Sequence, residues 1–314
     1  MSDSSVVLVT GGAGFIGSHL VDRLLEEGFR VRVVDNFFSG DQKNLAQHKN
    51  NKLFEFVEGD IRDFDLVKTV IKGVDFVLHQ VALVSVPRSC EDPVLSNEIN
   101  VIGTLNLLQA CVDVDVKRFV FTSSCALYGD SDNLPIKEDF PVNPLSPYAL
   151  DKYACEEYAR IFCETYGLET VGLRYYNVYG PRQKVGYYSG VISVFINCFL
   201  NNKSPTVFGD GNQSRDFVNV KDVVNANLLA LAKENISGEV FNISSGKRIS
   251  INSIIKIIQK VMDKKSEIFY AEPRSGDVEH SFADIKKAQK ILGYKPSVNF
   301  EEGLREVVDW YSTN

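Results

Sequence analysis

The feature that most constrains the fold is a regular alternation of short apolar, β-rich runs with segments of helical spacing. The apolar runs are Val6–Val9, Val31–Val34, Leu53–Val57, Phe76–His79 and Arg118–Phe121. After the first run, Ile16, Leu20 and Leu24 recur at the spacing of one helix face. Strands that alternate with helices form a parallel sheet covered on both faces. We therefore predict an α/β protein built on a doubly wound parallel sheet.

The second half of the chain has a looser pattern. Apolar runs and helical spacing predict two further strands and two helices, at Glu169–Arg174, Val240–Ile243, Ile251–Met262 and Glu301–Tyr311. We place one domain at residues 1–176, with a returning segment near 214–245. Residues 177–314 are predicted to form mainly a smaller, mixed α/β C-terminal domain.

Composition argues against several classes of function. The net charge is -7 and lysines and arginines form no cluster, which argues against nucleic-acid binding. The polar opening Met1–Ser5 lacks a basic signal region, and no apolar run approaches the roughly 20 residues needed to span a bilayer. The six cysteines and four histidines are scattered, which predicts neither disulfides nor a metal site. We expect a cytoplasmic protein that does not bind membranes.

A glycine-rich turn follows the first predicted strand and opens the first predicted helix. The segment GGAGFIG contains Gly11, Gly14 and Gly17, whose small size allows a tight turn and a close approach of the backbone to a pyrophosphate. The helix start at Phe15 and Ile16 offers unpaired N–H groups to phosphate oxygens. Such a motif also occurs as a packing turn, but its position between strand and helix favours a Rossmann-type dinucleotide site.

Acidic and polar residues at the following strand ends extend this predicted site. Asp35 ends the second strand, where its carboxylate can bind both hydroxyls of an adenosine ribose. A carboxylate there repels a 2′-phosphate, and no arginine directly follows it, so NAD is favoured over NADP. Asp60 and Ile61 are candidates for the adenine contact, and Gln80 and Ala82 for the nicotinamide side.

Ordered motifs along nearly the whole chain resemble the extended short-chain dehydrogenase/reductase family, and within it the nucleotide-sugar 4-epimerases. The motifs are GGAGFIG, Asp35-Asn36, Asp60, Asn100–Thr104, Thr122–Ser124, SPYALDK and Leu173–Gly180. The resemblance implies bound NAD, a UDP-sugar substrate and a homodimer. It adds further predicted cofactor contacts at Asn36, Ser39, Gly40, Asn100, Thr122, Tyr148, Lys152, Tyr175 and Val178.

The same resemblance assigns catalytic roles to Ser124, Tyr148 and Lys152. A free tyrosine has a pKa near 10, but Lys152 one helical turn away and the cationic nicotinamide ring both favour the phenolate. Tyr148 is then the general base, and Ser124 binds the sugar 4-hydroxyl and relays its proton. Lys152 also holds the nicotinamide ribose. The implied reaction moves a hydride from sugar carbon 4 to NAD and returns it to the opposite face.

Two positions after the catalytic serine separate this chain from related reactions. The 4,6-dehydratases of this family carry an Asp-Glu pair there, and the uronate decarboxylases carry a glutamate in the same stretch. Here the residues are Cys125 and Ala126. Without a carboxylate, water elimination or decarboxylation lacks its expected proton carrier, so both reactions are disfavoured.

Substrate contacts are also implied by the resemblance. Arg215 and Arg274 match two arginines that hold the UDP diphosphate, a role that suits the guanidinium fork. Asp277 matches a contact to the uridine ribose. The predicted sugar-side residues are Ser85, Ser123, Ser124, Tyr148, Asn177, Gln183 and Val191.

Ser281 is the position that bears on the choice of sugar. A tyrosine at the matching family position restricts the pocket to plain glucose and galactose, whereas serine leaves room for an acetamido group at carbon 2. The stretch RSGDVEHSFAD resembles epimerases that prefer UDP-N-acetylglucosamine and UDP-N-acetylgalactosamine. Val84 departs from both subgroups, which have lysine or glycine there, and leaves the packing around the sugar open.

Two alternatives stay open from the sequence. A UDP-glucuronate 4-epimerase would need a cation for the sugar carboxylate, for which Arg88 is one candidate. A catalytically silent NAD-binding regulator is disfavoured by the joint presence of Ser124, Tyr148 and Lys152. The helices near 97–112 and 148–166 resemble the pair that forms a four-helix dimer interface in relatives, although their periodicity equally fits helices packed on their own sheet.

Overall fold

Strands and helices alternate through a computed structural model that describes residues 5–131, 133–184, 190–273 and 278–313. The strands are β1 Val6–Thr10, β2 Arg30–Asp35, β3 Phe54–Glu58, β4 Phe76–His79, β5 Arg118–Ser124, β6 Thr170–Tyr175, β7 Asn177–Tyr179, β8 Thr206–Phe208, β9 Ser214–Asn219, β10 Glu239–Ile243, β11 Arg248–Ser250, β12 Phe269–Ala271 and β13 His280–Ser281. The helices are α1 Phe15–Glu26, α2 Phe64–Val70, α3 Val86–Glu91, α4 Pro93–Asn97, α5 Gly103–Asp113, α6 Pro147–Tyr166, α7 Val191–Leu200, α8 Val220–Ala232, α9 Ile251–Met262 and α10 Phe300–Thr313. None of the helices in these ranges has the length and apolarity needed to cross a bilayer.

Seven strands form one parallel sheet in the order β10-β6-β5-β4-β1-β2-β3. The apolar runs seen in the sequence are its buried strands, and helices cover both faces. Because all seven strands point the same way, their carboxyl ends lie along one edge. Strand β10 returns to this sheet beside β6, as the apolar run at Val240–Ile243 predicts. The predicted Rossmann-type α/β fold is confirmed.

Helix α6 carries the predicted catalytic tyrosine and lysine, and its ends are well defined. The Ser146 hydroxyl accepts a hydrogen bond from the Ala149 amide, and Pro147 occupies the first turn. Gly167 ends the helix in a left-handed conformation. These signals set the start of α6 directly before Tyr148, beside the end of β5.

The second half of the chain forms smaller sheets around β9. Strand β11 pairs antiparallel with β9, whereas β7 and β13 pair parallel with it. Helices α7, α9 and α10 pack their apolar faces into a separate core with Phe217 of β9. This arrangement brings Ser281 opposite Arg215, so two predicted substrate residues far apart in sequence are neighbours.

Candidate active site

A cavity of about 520 Å³ runs along the carboxyl edge of the parallel sheet. It brings together nearly all the predicted cofactor residues. They are Gly11, Gly14, Phe15, Ile16, Gly17, Asp35, Asn36, Ser39, Gly40, Asp60, Ile61, Gln80, Ala82, Thr122, Tyr148, Tyr175 and Val178. Ser123, Ser124 and Gln183, predicted on the sugar side, line the same cavity.

The β1–α1 turn forms a cradle in which glycine is required by the close approach of the backbone. A Cβ on Gly17 would lie 2.1 Å from the Gly11 carbonyl oxygen, so a larger residue would push α1 away from the turn. Gly11 itself has a φ of 69°, in the left-handed region. The start of α1 therefore stays close to the cavity, where its unpaired N–H groups suit a pyrophosphate.

Asp35 lies in the cavity wall beside this turn. Its two carboxylate oxygens accept hydrogen bonds from the Ala13 and Phe37 amides at 2.9 and 2.8 Å, and burial raises the pKa of the carboxyl. These bonds leave lone pairs for the hydroxyls of a ribose. The glycine cradle and this carboxylate together fit an NAD molecule.

Asn100 and Lys152 are the predicted cofactor residues that do not line the cavity. Asn100 is buried behind its wall, where its Oδ1 accepts from the Leu83 amide at 2.8 Å. A π-helical turn at Glu98–Ile102 interrupts the expected continuous helix between α4 and α5 at this residue. Asn100 therefore fixes the segment after β4 from the side that faces away from the cavity.

Lys152 is buried and donates from Nζ to the Thr122 carbonyl at 2.9 Å. Thr122 in turn donates from its hydroxyl to Gln80 Oε1 at 2.7 Å. Burial lowers the pKa of Lys152. The amine therefore stands directly behind two residues of the cavity wall on the predicted nicotinamide side.

Tyr148 and Ser124 meet where β5 ends against α6. The Ser124 side chain is close enough to the Tyr148 phenol to lower its pKa. The Ser124 Oγ accepts from the Ala126 amide at 3.2 Å. Burial raises the pKa of Tyr148 to about 12, more than the serine lowers it. In the protein alone the phenol is thus protonated near neutrality, and a further positive charge beside it is needed to make it a base.

Two buried hydroxyls in the cavity wall have no hydrogen-bond partner. They are Ser123 Oγ and the phenol of Tyr176. Buried polar groups are normally paired, so unpaired ones in a cavity wall indicate positions where a ligand binds. Ser123 was predicted from the sequence, whereas Tyr176 was not. The available signal was its position directly between two predicted site residues, Tyr175 and Asn177.

Three of the other predicted substrate residues, Asn177, Arg215 and Ser281, lie on or beside β9 and outside the cavity wall. Arg215 donates from Nη1 to the carbonyls of Ser214 and Glu279 at 3.0 and 3.1 Å. Asn177 donates from Nδ2 to the Asp216 carbonyl at 2.9 Å, which ties β7 to β9.

The other two of these residues stand at helix starts. Ser85 is buried and caps α3, where its Oγ accepts from the Arg88 amide at 3.3 Å. Val191 begins α7. Arg274 and Asp277 lie outside the residues that the structure describes, so their predicted contacts to the diphosphate and the uridine ribose stay predictions.

Cys125 lies on the substrate side of the catalytic serine. Its thiol lies within electrostatic range of Arg215 and Asp216, and burial raises its pKa to about 12. The position that bears a carboxylate in related dehydratases therefore faces β9 but holds a group that does not ionise near neutral pH.

Arg182 and Lys184 also line the cavity and were not identified from the sequence. Arg182 forms an ion pair with Asp22 of α1 at 2.7 Å. Lys184 donates to the Gly40 carbonyl at 2.9 Å and lies 3.4 Å from an Asp41 oxygen. Together they tie the segment after β7 to the cofactor side of the cavity. Their position on either side of Gln183, which was predicted, was the available signal.

Residues 7–244 match the model of the NAD dependent epimerase/dehydratase family. A curated relative from Methanocaldococcus jannaschii, a putative UDP-glucose 4-epimerase, is 46% identical over 311 residues, which cover 98% of this chain and 99% of that protein.

Solved structures show the same relationship. A UDP-N-acetylglucosamine 4-epimerase from Methanobrevibacter ruminantium, in complex with UDP-N-acetylmuramic acid, matches with a TM-score of 0.95 and 41% identity over 100% of this chain and 99% of that one. A UDP-glucuronic acid 4-epimerase from Bacillus cereus, with UDP-glucuronic acid and NAD, matches with a TM-score of 0.92 and 32% identity over 98% and 99%. These relatives share one type of reaction and differ in the sugar.

Proposed function

The chain belongs to the NAD dependent epimerase/dehydratase family, and we propose that it is an NAD-dependent UDP-sugar 4-epimerase that interconverts UDP-N-acetylglucosamine and UDP-N-acetylgalactosamine. UDP-glucose and UDP-galactose are expected as secondary substrates. One observation carries the proposal. The side chains of Ser124 and Tyr148, which interact with each other, line the same cavity as Asp35 and the glycine turn.

In this function the residues of the chain hold the sugar and move one proton. Ser124 binds the 4-hydroxyl, and Tyr148 accepts its proton as hydride leaves carbon 4. Lys152, fixed against the Thr122 carbonyl, adds positive charge behind the phenol. NAD, when bound, supplies the hydride acceptor and the charge of its nicotinamide ring. After the keto sugar has rotated in the cavity, carbon 4 takes the hydride back on its opposite face, and the same tyrosine returns the proton to the oxygen.

The residues at positions 125 and 126 support epimerisation over elimination or decarboxylation. The Cys125 thiol is held protonated by burial, with its pKa raised to about 12. Ala126 has no ionisable group. No group at either position can carry a proton to or from sugar carbon 5 or 6, so the proton path ends at Tyr148.

The preference for acetylated sugars rests on Ser281. It pairs with Arg215 across β13 and β9, and it is half-buried. A residue at this position therefore borders the arginine proposed to bind phosphate. A small side chain there leaves volume for an acetamido group, whereas an aromatic ring would fill it.

A UDP-glucuronate 4-epimerase is the alternative, because one solved relative acts on that sugar. It needs a cation for the sugar carboxylate. Among the described residues, the cationic side chains in the wall of this cavity are Arg182 and Lys184. Lys184 lies against Asp41, and Arg182 pairs with Asp22 through Nη2, whereas the Nη1 of Arg182 is buried without a partner. Arg88, the candidate from the sequence, stacks on the Phe38 ring at 4.9 Å. An acidic sugar would therefore have to place its carboxylate at Arg182.

We also propose a division of labour between two domains. Residues 1–176, with the returning segment near 214–245, would bind NAD, and residues 177–314 would mainly bind the UDP-sugar. The parallel sheet supports the first part, because β10 joins it beside β6. The separate core of α7, α9 and α10 supports the second.

A homodimer is proposed from the surface of α4 and α6. Leu150, Tyr158 and Ile161 are exposed along one side of α6 at helical spacing, and Val94 of α4 and Ile102 are exposed nearby. The two helices contact each other. A second copy of the chain could bury this surface in a four-helix contact. Light scattering should give twice the chain mass, and Leu150→Glu with Ile161→Glu should give the monomer.

The experiment that tests the activity is a substrate panel read by proton NMR of the anomeric region. Purified protein carrying NAD should equilibrate UDP-N-acetylglucosamine with its galacto epimer. Turnover of UDP-glucuronate alone, or of UDP-glucose alone, would overturn the argument from Ser281. No turnover of any UDP-sugar by NAD-loaded protein would favour the silent regulator.

A further inference from the structure

We propose that the hydroxyl of Tyr176 determines specificity by forming a hydrogen bond with a neutral oxygen of the substrate sugar. This inference rests on the proposed UDP-sugar 4-epimerase function and adds a residue that the sequence did not indicate. The partner oxygen belongs to a hydroxyl or an acetamido carbonyl on the pyranose ring, and not to a carboxylate.

The first argument is that the Tyr176 phenol is buried without a partner. Its side chain is 5% exposed and lines the cavity, and its oxygen accepts and donates no hydrogen bond. Three other buried tyrosines have hydrogen-bonded phenols. Tyr128 donates to Asn242, Tyr294 donates to the Ser244 carbonyl, and Tyr175 accepts from Asn227.

A buried phenol without a partner is destabilising, and a phenylalanine would fill the same space without that cost. The neighbouring unpaired hydroxyl of Ser123 stands in the same cavity wall. Two unpaired hydroxyls beside the catalytic serine are best explained by a ligand that carries several oxygens. A sugar is such a ligand.

The second argument is the position of Tyr176 relative to the reacting carbon. It directly follows β6, whose last residue Tyr175 pairs with Ser124. Its phenol is within electrostatic range of Cys125, Tyr128, Asp216 and Glu138. Tyr176 therefore lines the cavity next to the strand end that carries Ser124, on the side of β9, which is where the pyranose of the proposed substrate would lie.

The third argument concerns charge. Asp216 is fully buried and accepts hydrogen bonds from the Ser245 amide and hydroxyl and from the Ala283 amide. Glu138 is the second carboxylate near the phenol. A sugar carboxylate brought to Tyr176 would lose much of its hydration in this buried site, beside two carboxyls whose pKa burial already raises. Burial also raises the pKa of Tyr176 well above its usual range, so the phenol remains a donor.

The test compares Tyr176→Phe with Tyr294→Phe in NAD-loaded protein. Loss of the Tyr176 hydroxyl should raise KM for the preferred UDP-sugar about tenfold, within the range of one buried hydrogen bond, and change kcat much less. The same variant should melt higher than the wild type in the absence of substrate, by about 2–4 °C, because an unpaired buried group is removed. Tyr294→Phe breaks a satisfied hydrogen bond between two residues that do not line the cavity, so it should lower the melting temperature with KM unchanged.

The outcomes separate this inference from the proposed function. If the wild type epimerises a UDP-sugar and Tyr176→Phe has unchanged KM for every substrate in the panel, the role of Tyr176 is wrong and the function stands. A lower melting temperature for Tyr176→Phe would mean that its hydroxyl has a partner within the protein, which also contradicts the inference. If the wild type turns over no UDP-sugar, the proposed function itself fails.

Discussion

The cofactor end and the substrate end of the active-site cavity are built in different ways. The cofactor end is formed by the carboxyl ends of parallel strands of one sheet. Asp35 ends β2, Gln80 directly follows β4, and Thr122 lies near the end of β5. The proposed substrate end combines Tyr176, which lies in the cavity wall after β6, with Arg215 and Ser281, which lie outside that wall. Arg215 and Ser281 meet only because β13 pairs with β9. The first construction follows from one sheet, whereas the second depends on packing between distant segments.

The two ends also differ in how far their polar groups are satisfied by the protein. Asp35 already accepts two backbone hydrogen bonds, and Gln80 and Thr122 bond each other. At the substrate end, Ser123 and Tyr176 have unpaired hydroxyls. The comparison indicates a preformed cofactor site and a sugar site that is completed by its ligand.

The largest effect is expected where the two ends meet, at Tyr148. Tyr148→Phe removes the only proton-transfer group in the proposed mechanism, so kcat should fall by about 10²- to 10⁴-fold, while bound NAD is retained. Steady-state kinetics measure kcat, and the absorbance of the bound cofactor measures the NAD content. Tyr158→Phe, on the exposed side of the same helix, is the control and should keep the wild-type kcat and NAD content. Near-normal turnover in Tyr148→Phe would refute its role as the base.

A selective effect on the substrate end is expected from Ser281→Tyr. The added ring should fill the space for an acetamido group and lower kcat/KM for UDP-N-acetylglucosamine about a hundredfold relative to UDP-glucose. NAD content should not change, since the cofactor end is separate. Ser281→Ala is the matched control and should keep the wild-type preference. Equal losses on both sugars would count against a steric restriction.

The converse effect, on the cofactor end alone, is expected from Gly17→Ala. Its Cβ would lie 2.1 Å from the Gly11 carbonyl oxygen, and overpacking of this kind costs about 1–3 kcal/mol. Moving α1 away from the turn should weaken NAD binding about tenfold, which calorimetry of the apoprotein can measure.

Gly28→Ala, beyond the other end of α1, is the control for this change. Its Cβ meets no atom within 4 Å, and only its φ of +84° is strained. It should lower stability without changing NAD affinity. Equal NAD affinity in wild type and Gly17→Ala would show that the turn does not need this close approach.

The smallest effect concerns a buried histidine under the cofactor end. His79 lies between the hydroxyls of Thr10 and Thr104 at 2.7 and 2.9 Å, and burial lowers its pKa from 6.5 to about 3. Thr104 donates to the Asn100 carbonyl, so it accepts from Nε2–H, and the His79 Nδ1 accepts from Thr10. The native ring is therefore neutral.

Unfolding exposes His79, which then takes up a proton when the pH is below its ordinary pKa of 6.5. The unfolded state then binds more protons than the native state. The stabilisation that comes from keeping His79 neutral is therefore present above pH 6.5 and is lost as the pH falls toward 3. Between these pH values, His79 should lower the free energy of unfolding by about 1.4 kcal/mol for each pH unit of acidification. Urea unfolding between pH 7 and 4.5 measures it. His79→Gln, which cannot titrate, should have a shallower slope, and an equal slope would contradict the assignment.

The cofactor end was predictable from the sequence because its residues stand next to strong local signals. Asp35 follows an apolar run, and the glycines separate a strand from a helix. Asn100 and Lys152 were also predicted as NAD contacts, and neither lines the cavity, so these two contacts stay predictions. Whether a side chain faces a cavity or supports it depends on neighbours that sequence spacing does not specify.

The sequence by itself determined the parallel sheet, the edge on which the site lies and the nature of the reacting groups, because strand polarity and helix spacing follow from local patterns. Only the tertiary structure decided that Ser281 lies opposite Arg215 and that the Tyr176 hydroxyl is buried without a partner. Both facts arise from contacts between segments distant in the chain. Burial and hydrogen-bond satisfaction are properties of the packed molecule, so a residue type alone does not reveal them.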